Sequence, residues 1–218
     1  MRFDGAIFDM DGTLLDSMPV WRNLAPDFLK KHGIEPGPDF HIRASVPSIR
    51  GAVDFMISAF GLAADAAAET AEITARLAEF HRTEVRARPG ARELLEALRR
   101  GGVRAGVLTA TEPELAALAL RSTGLAEYFP VGGVLSGAEH NLSKSTPRPF
   151  VMMRERLGTV PERTIVFEDA LYAARTAARL GHPVAAVRDA SEPRQNELAA
   201  VADWYCREWT EFPLEIFA

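Results

Sequence analysis

The chain has one cysteine, Cys206, among its 218 residues, so no disulfide can form within it. This is typical of proteins that function in a reducing compartment. The N-terminus has one arginine and a short apolar run that Asp4 and Asp9 interrupt, which is not the pattern of a secretory signal peptide. No apolar stretch approaches the roughly 20 residues that a membrane helix needs. We therefore expect a cytoplasmic protein without a membrane partner.

The sequence also lacks an excess of positive charge. It contains 25 Lys and Arg against 30 Asp and Glu, for a net charge of −5. A nucleic-acid-binding protein needs surplus cations to neutralise phosphates, so no nucleic-acid partner is expected. A small anionic ligand remains compatible, because a few local cations can reverse the sign inside one cleft. We expect a monomer or a homodimer.

Three common motifs of nucleotide-binding proteins and hydrolases are absent. There is no Gly-X-X-X-X-Gly-Lys loop, and the glycines of GGVRAG have the wrong spacing for a dinucleotide loop. There is also no Gly-X-Ser-X-Gly elbow. The sequence therefore does not predict a P-loop nucleotidase, a dinucleotide-dependent enzyme or a serine hydrolase.

Apolar runs typical of buried strands alternate with helical segments over most of the chain. The strands are predicted at 3–8, 103–108, 131–135, 164–167, 184–187 and 204–206. The first strand is separated from the rest by segments with helical spacing only, at 21–32, 50–60 and 64–80. This pattern predicts an α/β fold, a doubly wound parallel sheet with an inserted all-helical cap domain. The expected boundaries are 1–16 and 86–218 for the core, and 17–85 for the cap.

Polar, reactive side chains follow the predicted strands. In a doubly wound sheet, ligands bind outside the carboxyl ends of the strands, so these side chains should meet. Crowded carboxylates repel one another unless a cation joins them, and Mg²⁺ prefers such oxygen ligands. A lysine and a threonine could hold phosphoryl oxygens while an aspartate attacks phosphorus. The residues concerned are Asp9, Asp11, Thr109, Lys144, Glu168 and Asp169.

Four segments in this order resemble the motifs of the haloacid dehalogenase superfamily. They are IFDMDGTLLDS, VLTAT, KSTPRPF and IVFEDALYAARTAARLG. The chain is similar to the subgroup with a helical cap after the first strand, which includes β-phosphoglucomutases and phosphoglycolate phosphatases. The resemblance covers essentially the whole chain and implies a Rossmann-like core with a mobile cap.

The resemblance also implies roles for the residues that match the motifs. Asp9 would be the nucleophile, and Asp11 the general acid and base. Thr109 would hydrogen-bond a phosphoryl oxygen, assisted by the backbone N–H of Ala110. Lys144 would neutralise the nucleophile and the phosphate.

A magnesium site is implied by the same resemblance. Asp9 and Asp169 would bind Mg²⁺ through their carboxylates, and Asp11 through its backbone carbonyl. Glu168 would bind the ion directly or through water.

The leading functional hypothesis is a Mg²⁺-dependent phosphatase that hydrolyses a small phosphorylated metabolite through an aspartyl-phosphate. One alternative is a β-phosphoglucomutase-like phosphosugar mutase. That subgroup usually has a histidine early in the first cap helix, where this chain has Trp21. Another alternative is a binding or regulatory protein that kept the fold and lost turnover.

Other polar residues have a structural interpretation. Asp16 and Ser17 are expected to form the N-cap of the first cap helix, and Thr111 is better placed than Thr109 to form the N-cap of the helix that starts near 113. Arg43 and Arg50 lie where substrate-selecting residues usually sit, although surface arginines are the favoured interpretation. The five histidines show no metal-ligand spacing and are expected to be structural or solvated.

Overall fold

The computed structural model describes residues 3–37 and 48–217. Its centre is a six-stranded sheet in the order β3-β2-β1-β4-β5-β6, in which every neighbouring pair is parallel. The strands are β1 Gly5–Phe8, β2 Arg104–Thr109, β3 Val134–Ser136, β4 Thr164–Glu168, β5 Val184–Val187 and β6 Trp204–Cys206. The predicted doubly wound sheet is confirmed. β3 begins three residues later than predicted, because residues 130–132 form a turn in which Val131 is exposed.

The helices of the described residues fall into two groups. Those between β1 and β2 in the chain are α1 Met18–Lys31, α2 Ile49–Phe60, α3 Ala66–Thr83 and α4 Ala91–Arg100. Those that follow β2 are α5 Pro113–Ser122, α6 Gly137–His140, α7 Arg148–Leu157, α8 Leu171–Arg179 and α9 Gln195–Val201. The sequence did not predict α6, a single turn after β3.

The sheet is covered on both faces, as its apolar strands require. Successive side chains of a strand point to opposite faces. In β1, Phe8 therefore joins one hydrophobic cluster with α4 and α5, whereas Ile7 joins a second cluster with α7, α8 and α9. Phe8 stacks on Phe167 of β4 with ring centroids 4.2 Å apart. Each such fully buried side chain contributes roughly 1.5–3 kcal/mol of burial free energy, which fixes β1 at the centre of the sheet.

α1, α2 and α3 form the helical insertion, which is called the cap below. Their apolar faces meet in a third cluster that includes Phe28, Val53 and Leu77. The core residue Leu115 of α5 belongs to the same cluster, so the cap is seated on the core. The exact domain boundaries at 17 and 85 stay a prediction.

The structure describes one of the two cap arginines that were considered as substrate-selecting residues. Arg50 is exposed and pairs with Asp54 one turn further along α2, at 2.9 Å. Arg43 lies outside the described residues. Among the helices that the structure describes, none combines the length and hydrophobicity needed to cross a membrane.

Candidate active site at the carboxyl edge of the sheet

The carboxyl ends of β1 and β4 bring Asp9 and the acidic pair together. Phe8 is level with Phe167 in the parallel register, and the backbone N–H of Asp9 donates to the carbonyl of Phe167 at 2.9 Å. Glu168 is the last residue of β4, and Asp169 follows it. The register therefore places three carboxylates at one point of the sheet edge, as the strand pattern predicted.

Those three carboxylates form a buried acidic cluster. Asp9, Glu168 and Asp169 each offer a carboxylate oxygen, and these oxygens lie within 4.8 Å of one another. The residues are only 7%, 1% and 4% exposed, respectively. Thr13 donates its hydroxyl to Asp169 Oδ1 at 2.8 Å, and Glu168 Oε2 accepts the backbone N–H groups of Asp169 and Ala170. Glu168 therefore also stabilises the turn that leads from β4 to α8.

Lys144 supplies the positive charge inside this cluster. Its side chain is buried, and its ammonium group donates to Asp9 Oδ1 and to Glu168 Oε1. Burial lowers the pKa of Lys144, but the attraction of Asp9 and Glu168 outweighs it and holds that pKa well above its usual value. The lysine therefore stays protonated and makes a bridge between the two strand ends.

One ammonium group does not balance three buried carboxylates. Burial raises the pKa of Asp9 to about 7, because Lys144 offsets only part of the cost and Glu168 and Asp11 add repulsion. Burial and the negative charges of Asp9 and Glu168 raise the pKa of Asp169 well above its usual value. A divalent cation would relieve this repulsion, and an all-oxygen donor set fits a hard ion such as Mg²⁺.

Asp11 lies apart from the acidic cluster, in a ring of neutral donors. Ser17 and Trp21 both donate to Asp11 Oδ1, at 2.6 and 3.0 Å. Thr111 donates to Asp11 Oδ2 at 2.7 Å. These donors come from the cap entrance, from α1 and from the loop after β2. The carboxylates of Asp9 and Asp11, two residues apart, therefore have separate surroundings.

Thr109 is buried at the end of β2, next to β1 in the sheet. Its hydroxyl accepts the backbone N–H of Thr111 at 3.1 Å, and Ala110 between them is exposed. Thr109 is therefore not the N-cap of α5. Thr111 was expected to be better placed for the N-cap, and that prediction was wrong, because the N-cap residue is Glu112 and the Thr111 hydroxyl donates to Asp11 instead.

Ser17 occupies the N-cap position of α1, as expected, but makes no side-chain N-cap hydrogen bond. Its hydroxyl donates to Asp11 instead. The sequence alone is compatible with either role for Ser17, because a serine next to a helix start is a common N-cap and its hydroxyl can also donate to a carboxylate. The local sequence does not indicate that Asp11 is the hydrogen-bond partner of Ser17; the structure does.

The loop that carries Asp9 and Asp11 is held by a buried arginine that sequence reasoning missed. Arg88 donates to the backbone carbonyl of Gly12 at 2.8 Å and pairs with Asp189 at 3.2 Å. Gly12 has a φ of +85°, and a Cβ there would lie 2.4 Å from Asp169 Oδ2. The glycine thus permits both the left-handed turn and the close approach of the carboxylate.

Two of the histidines that were expected to be structural or solvated are buried in the structure. His182 is buried, and its Nδ1 lies 2.9 Å from the carbonyl of Thr164. His81 of α3 is completely buried, and neither ring nitrogen has a hydrogen-bond partner in the part of the chain that the structure describes. Burial lowers the pKa of His81, and the nearby charge of Asp11 opposes that shift. Neither histidine is solvated.

A doubly wound sheet with a helical insertion after β1 and a carboxylate–lysine cluster at its carboxyl edge defines a class of hydrolases. The chain belongs to the haloacid dehalogenase-like hydrolase family, whose model matches residues 3–181. The family expected from the motifs is therefore confirmed. Within it, the chain is a phosphoric monoester hydrolase.

Curated relatives cover most of the chain. Hexitol phosphatase A of Escherichia coli (strain K12) is 29% identical over 209 residues, covering 92% of this chain and 91% of that protein. An N-acetylmuramic acid 6-phosphate phosphatase of Pseudomonas aeruginosa is 31% identical over 196 residues, covering 86% and 83%. The chain is thus similar to phosphatases with different named substrates.

Solved structures show the same fold. A crystal structure described as a predicted phosphoglycolate phosphatase from Haemophilus somnus 129PT has a TM-score of 0.78. It covers 100% of this chain and 99% of its own, at 20% sequence identity. This likeness supports the arrangement of core and cap.

Proposed function

We propose that the protein is a Mg²⁺-dependent phosphatase that hydrolyses a small phosphorylated metabolite through a covalent aspartyl-phosphate on Asp9. One observation carries the proposal: the buried Asp9 carboxylate contacts the Lys144 ammonium within a cluster of three carboxylates at the sheet edge. The curated relatives named above are phosphatases of a hexitol phosphate and of a phosphorylated amino sugar acid. A polyol or sugar phosphate is therefore the proposed substrate class.

In the first step, a carboxylate oxygen of Asp9 attacks the phosphorus atom and the ester P–O bond breaks. Lys144, which already contacts Asp9, neutralises charge on the nucleophile and on the phosphoryl group. Thr109 and the N–H of Ala110, at the end of β2, bind the phosphoryl oxygens. Asp11 gives its proton to the departing oxygen.

In the second step, water attacks the phosphorus atom of the aspartyl-phosphate, and the bond to Asp9 breaks to release inorganic phosphate. Asp11 accepts the proton of that water and so returns to its starting state. The cap, seated over this edge through Leu115, keeps bulk water away and selects the substrate.

The proposed metal ligands are the carboxylates of Asp9 and Asp169, the carbonyl of Asp11, and Glu168 directly or through water. When bound, Mg²⁺ would supply charge neutralisation at the phosphoryl oxygens. The cluster fits the ion because its donors are all oxygens and because burial, together with the neighbouring carboxylates, raises the pKa of Asp9 and Asp169.

The phosphatase is preferred to the phosphosugar mutase because of Trp21. An indole N–H only donates a hydrogen bond and cannot relay a proton as a histidine can. A silent binding protein is disfavoured, because Asp9, Lys144 and the acidic pair form an intact cluster. A cytoplasmic location, a monomeric or homodimeric state, and the absence of nucleic-acid and membrane partners stay predictions from composition.

The test is phosphate release from a panel of phosphorylated polyols, sugars and glycolate in the presence of Mg²⁺. Asp9→Asn should reduce release to the background rate, because the amide cannot form the phosphoenzyme. Asp54→Asn, which alters an exposed aspartate of the cap, is the matched control and should retain activity. An Asp9→Asn protein with wild-type activity would refute the proposal.

Beryllofluoride provides an independent measurement, because with Mg²⁺ it mimics a phosphorylated aspartate. The pair should raise the melting temperature of the wild-type protein and leave that of Asp9→Asn unchanged. Conversion of a β-hexose 1-phosphate to the 6-phosphate, without phosphate release, would identify a mutase instead.

A further inference from the structure

Trp21 connects the cap to the acid–base residue of the core. It lies in the first turns of α1, and its indole N–H donates to Asp11 Oδ1 at 3.0 Å. Asp11 belongs to the loop after β1, so this hydrogen bond joins the two parts of the molecule. The tryptophan is half-buried, as is Asp11.

The hydrogen bonds around Asp11 leave its two oxygens unequal. A carboxylate has about four lone-pair sites, two on each oxygen. Ser17 and Trp21 occupy both sites of Oδ1, whereas Thr111 occupies one site of Oδ2. Among residues 3–37 and 48–217, Thr111 is the one hydrogen-bond donor to Oδ2, so this oxygen keeps a site for a proton or for a leaving-group oxygen.

Among the three donors, Trp21 constrains the carboxylate most. The hydroxyl hydrogens of Ser17 and Thr111 can rotate about their C–O bonds, so they follow the carboxylate as it turns. The N–H of an indole has one direction, which the ring orientation sets. The plane of the Asp11 carboxylate is thus tied to the position of α1.

The cap is seated by other contacts that would hold α1 in place. The core residue Glu112 accepts the backbone N–H of Ile49, the first residue of α2, at 3.0 Å. Leu115 of α5 packs into the hydrophobic cluster of the cap. In this arrangement the cap packs on the core, and Trp21 of the same cap donates its hydrogen bond to Asp11.

We propose that Trp21 is a positioning residue that turns Asp11 Oδ2 toward the leaving-group oxygen, so that protonation of the leaving group requires the cap to be seated. The proposal rests on the proposed phosphatase function. When the ester P–O bond breaks, its electron pair stays on the leaving oxygen, which takes the proton from Asp11. Trp21 itself neither gives nor accepts that proton.

The leaving group provides a specific test. An alkyl phosphate releases a strongly basic alkoxide that needs the proton, whereas p-nitrophenyl phosphate releases a weakly basic phenolate that does not. Trp21→Phe keeps an aromatic ring and removes the N–H. General acid catalysis contributes about 10²–10⁴-fold, so partial misplacement should lower kcat/KM for the alkyl ester by about 10–100-fold. The loss for p-nitrophenyl phosphate should be less than about 3-fold on the same grounds.

The measurement compares kcat/KM for both esters, because this ratio includes only the steps up to departure of the leaving group. The alkyl ester is the best substrate of the panel described above. Trp204→Phe is the matched control, since Trp204 lies on the edge strand β6 and packs against Phe3 and Phe212. It should change both substrates equally and little. Equal losses for both esters in Trp21→Phe would show a merely structural role and overturn the proposal, as would unchanged values.

A second variant keeps the test valid if Trp21→Phe folds poorly. Site-specific replacement of Trp21 by 3-benzothienylalanine keeps the shape of the indole and removes only its N–H. The same selective loss on the alkyl ester is expected, and its absence overturns the proposal. Failure of the phosphatase proposal itself is distinguishable, because Asp9→Asn would then retain activity on both esters.

Discussion

Lys144→Met tests the electrostatic account of the site without any assumption about the substrate. The side chain of Lys144 is 7% exposed, and it pairs with Asp9 and Glu168, whose side chains are 9% and 1% exposed. Methionine fills a similar volume but leaves both carboxylates without their cation. Breaking a buried ion pair costs about 3–5 kcal/mol, because a buried charge is left uncompensated. For a chain of this size each kcal/mol corresponds to about 2–4 °C, so the melting temperature should fall by roughly 6–20 °C.

The assay is thermal unfolding in EDTA and in excess Mg²⁺. Without the lysine the acidic cluster attracts a cation more strongly, so Mg²⁺ should raise the melting temperature of Lys144→Met more than that of the wild-type protein. Lys31→Met is the matched control, because Lys31 also contacts two carboxylates, those of Glu69 and Glu72, but with a side chain that is 42% exposed. Exposed pairs contribute little, so this variant should change stability far less. Equal losses in the two variants would refute the reasoning.

Two further predictions concern the proposed metal site and the loop that carries Asp9 and Asp11. Because Mg²⁺ needs ionised ligands and burial raises the pKa of Asp9 to about 7, the Kd for Mg²⁺ should fall about tenfold from pH 6 to pH 8 in calorimetric titrations; a Kd independent of pH would contradict this. Gly12→Ala should destabilise the protein more than Gly33→Ala in urea unfolding. Both glycines have positive φ, at +85° and +75°, but only at Gly12 would the new Cβ meet Asp169, whereas nothing lies within 4 Å of the Cβ position at Gly33. Equal destabilisation would mean that the close approach to Asp169 has no cost.

Much of the fold followed from the sequence, because its strands are short, apolar and buried on both faces. Such runs are easy to recognise, and the alternation of strands and helices restricts the sheet topology to few possibilities. The acidic cluster followed for the same reason, since Asp9 comes directly after β1, and Glu168 and Asp169 are the last residue of β4 and the residue after it, in strands that pair side by side. Lys144 was harder to place, because it lies in a loop, and only its position before a helix matched the family motif.

The partners of Asp11 could not be predicted in this way. Ser17 and Thr111 each stand next to a helix start, where local sequence favours the N-cap interpretation. Their hydroxyls instead converge on Asp11, and Thr111 does so from 100 residues away. Arg88 likewise reaches the carbonyl of Gly12 from across the chain. Hydrogen bonds of this kind depend on the packed position of whole elements, which no local pattern specifies.

The different surroundings of Asp9 and Asp11 are consistent with the different roles proposed for these two aspartates of one loop. Asp9 is enclosed with an ammonium group and two other carboxylates, so its charge is balanced by ions and its oxygens suit a nucleophile beside a cation. Asp11 is surrounded by neutral donors, which fix its orientation without supplying a compensating charge. A group that must both give and accept a proton needs this second environment, because a direct ion pair with Lys144 would hold it in its charged form. One of these neutral donors, Trp21, belongs to the cap. Under the proposed mechanism, the cap would therefore both select the substrate and orient the proton-transfer group.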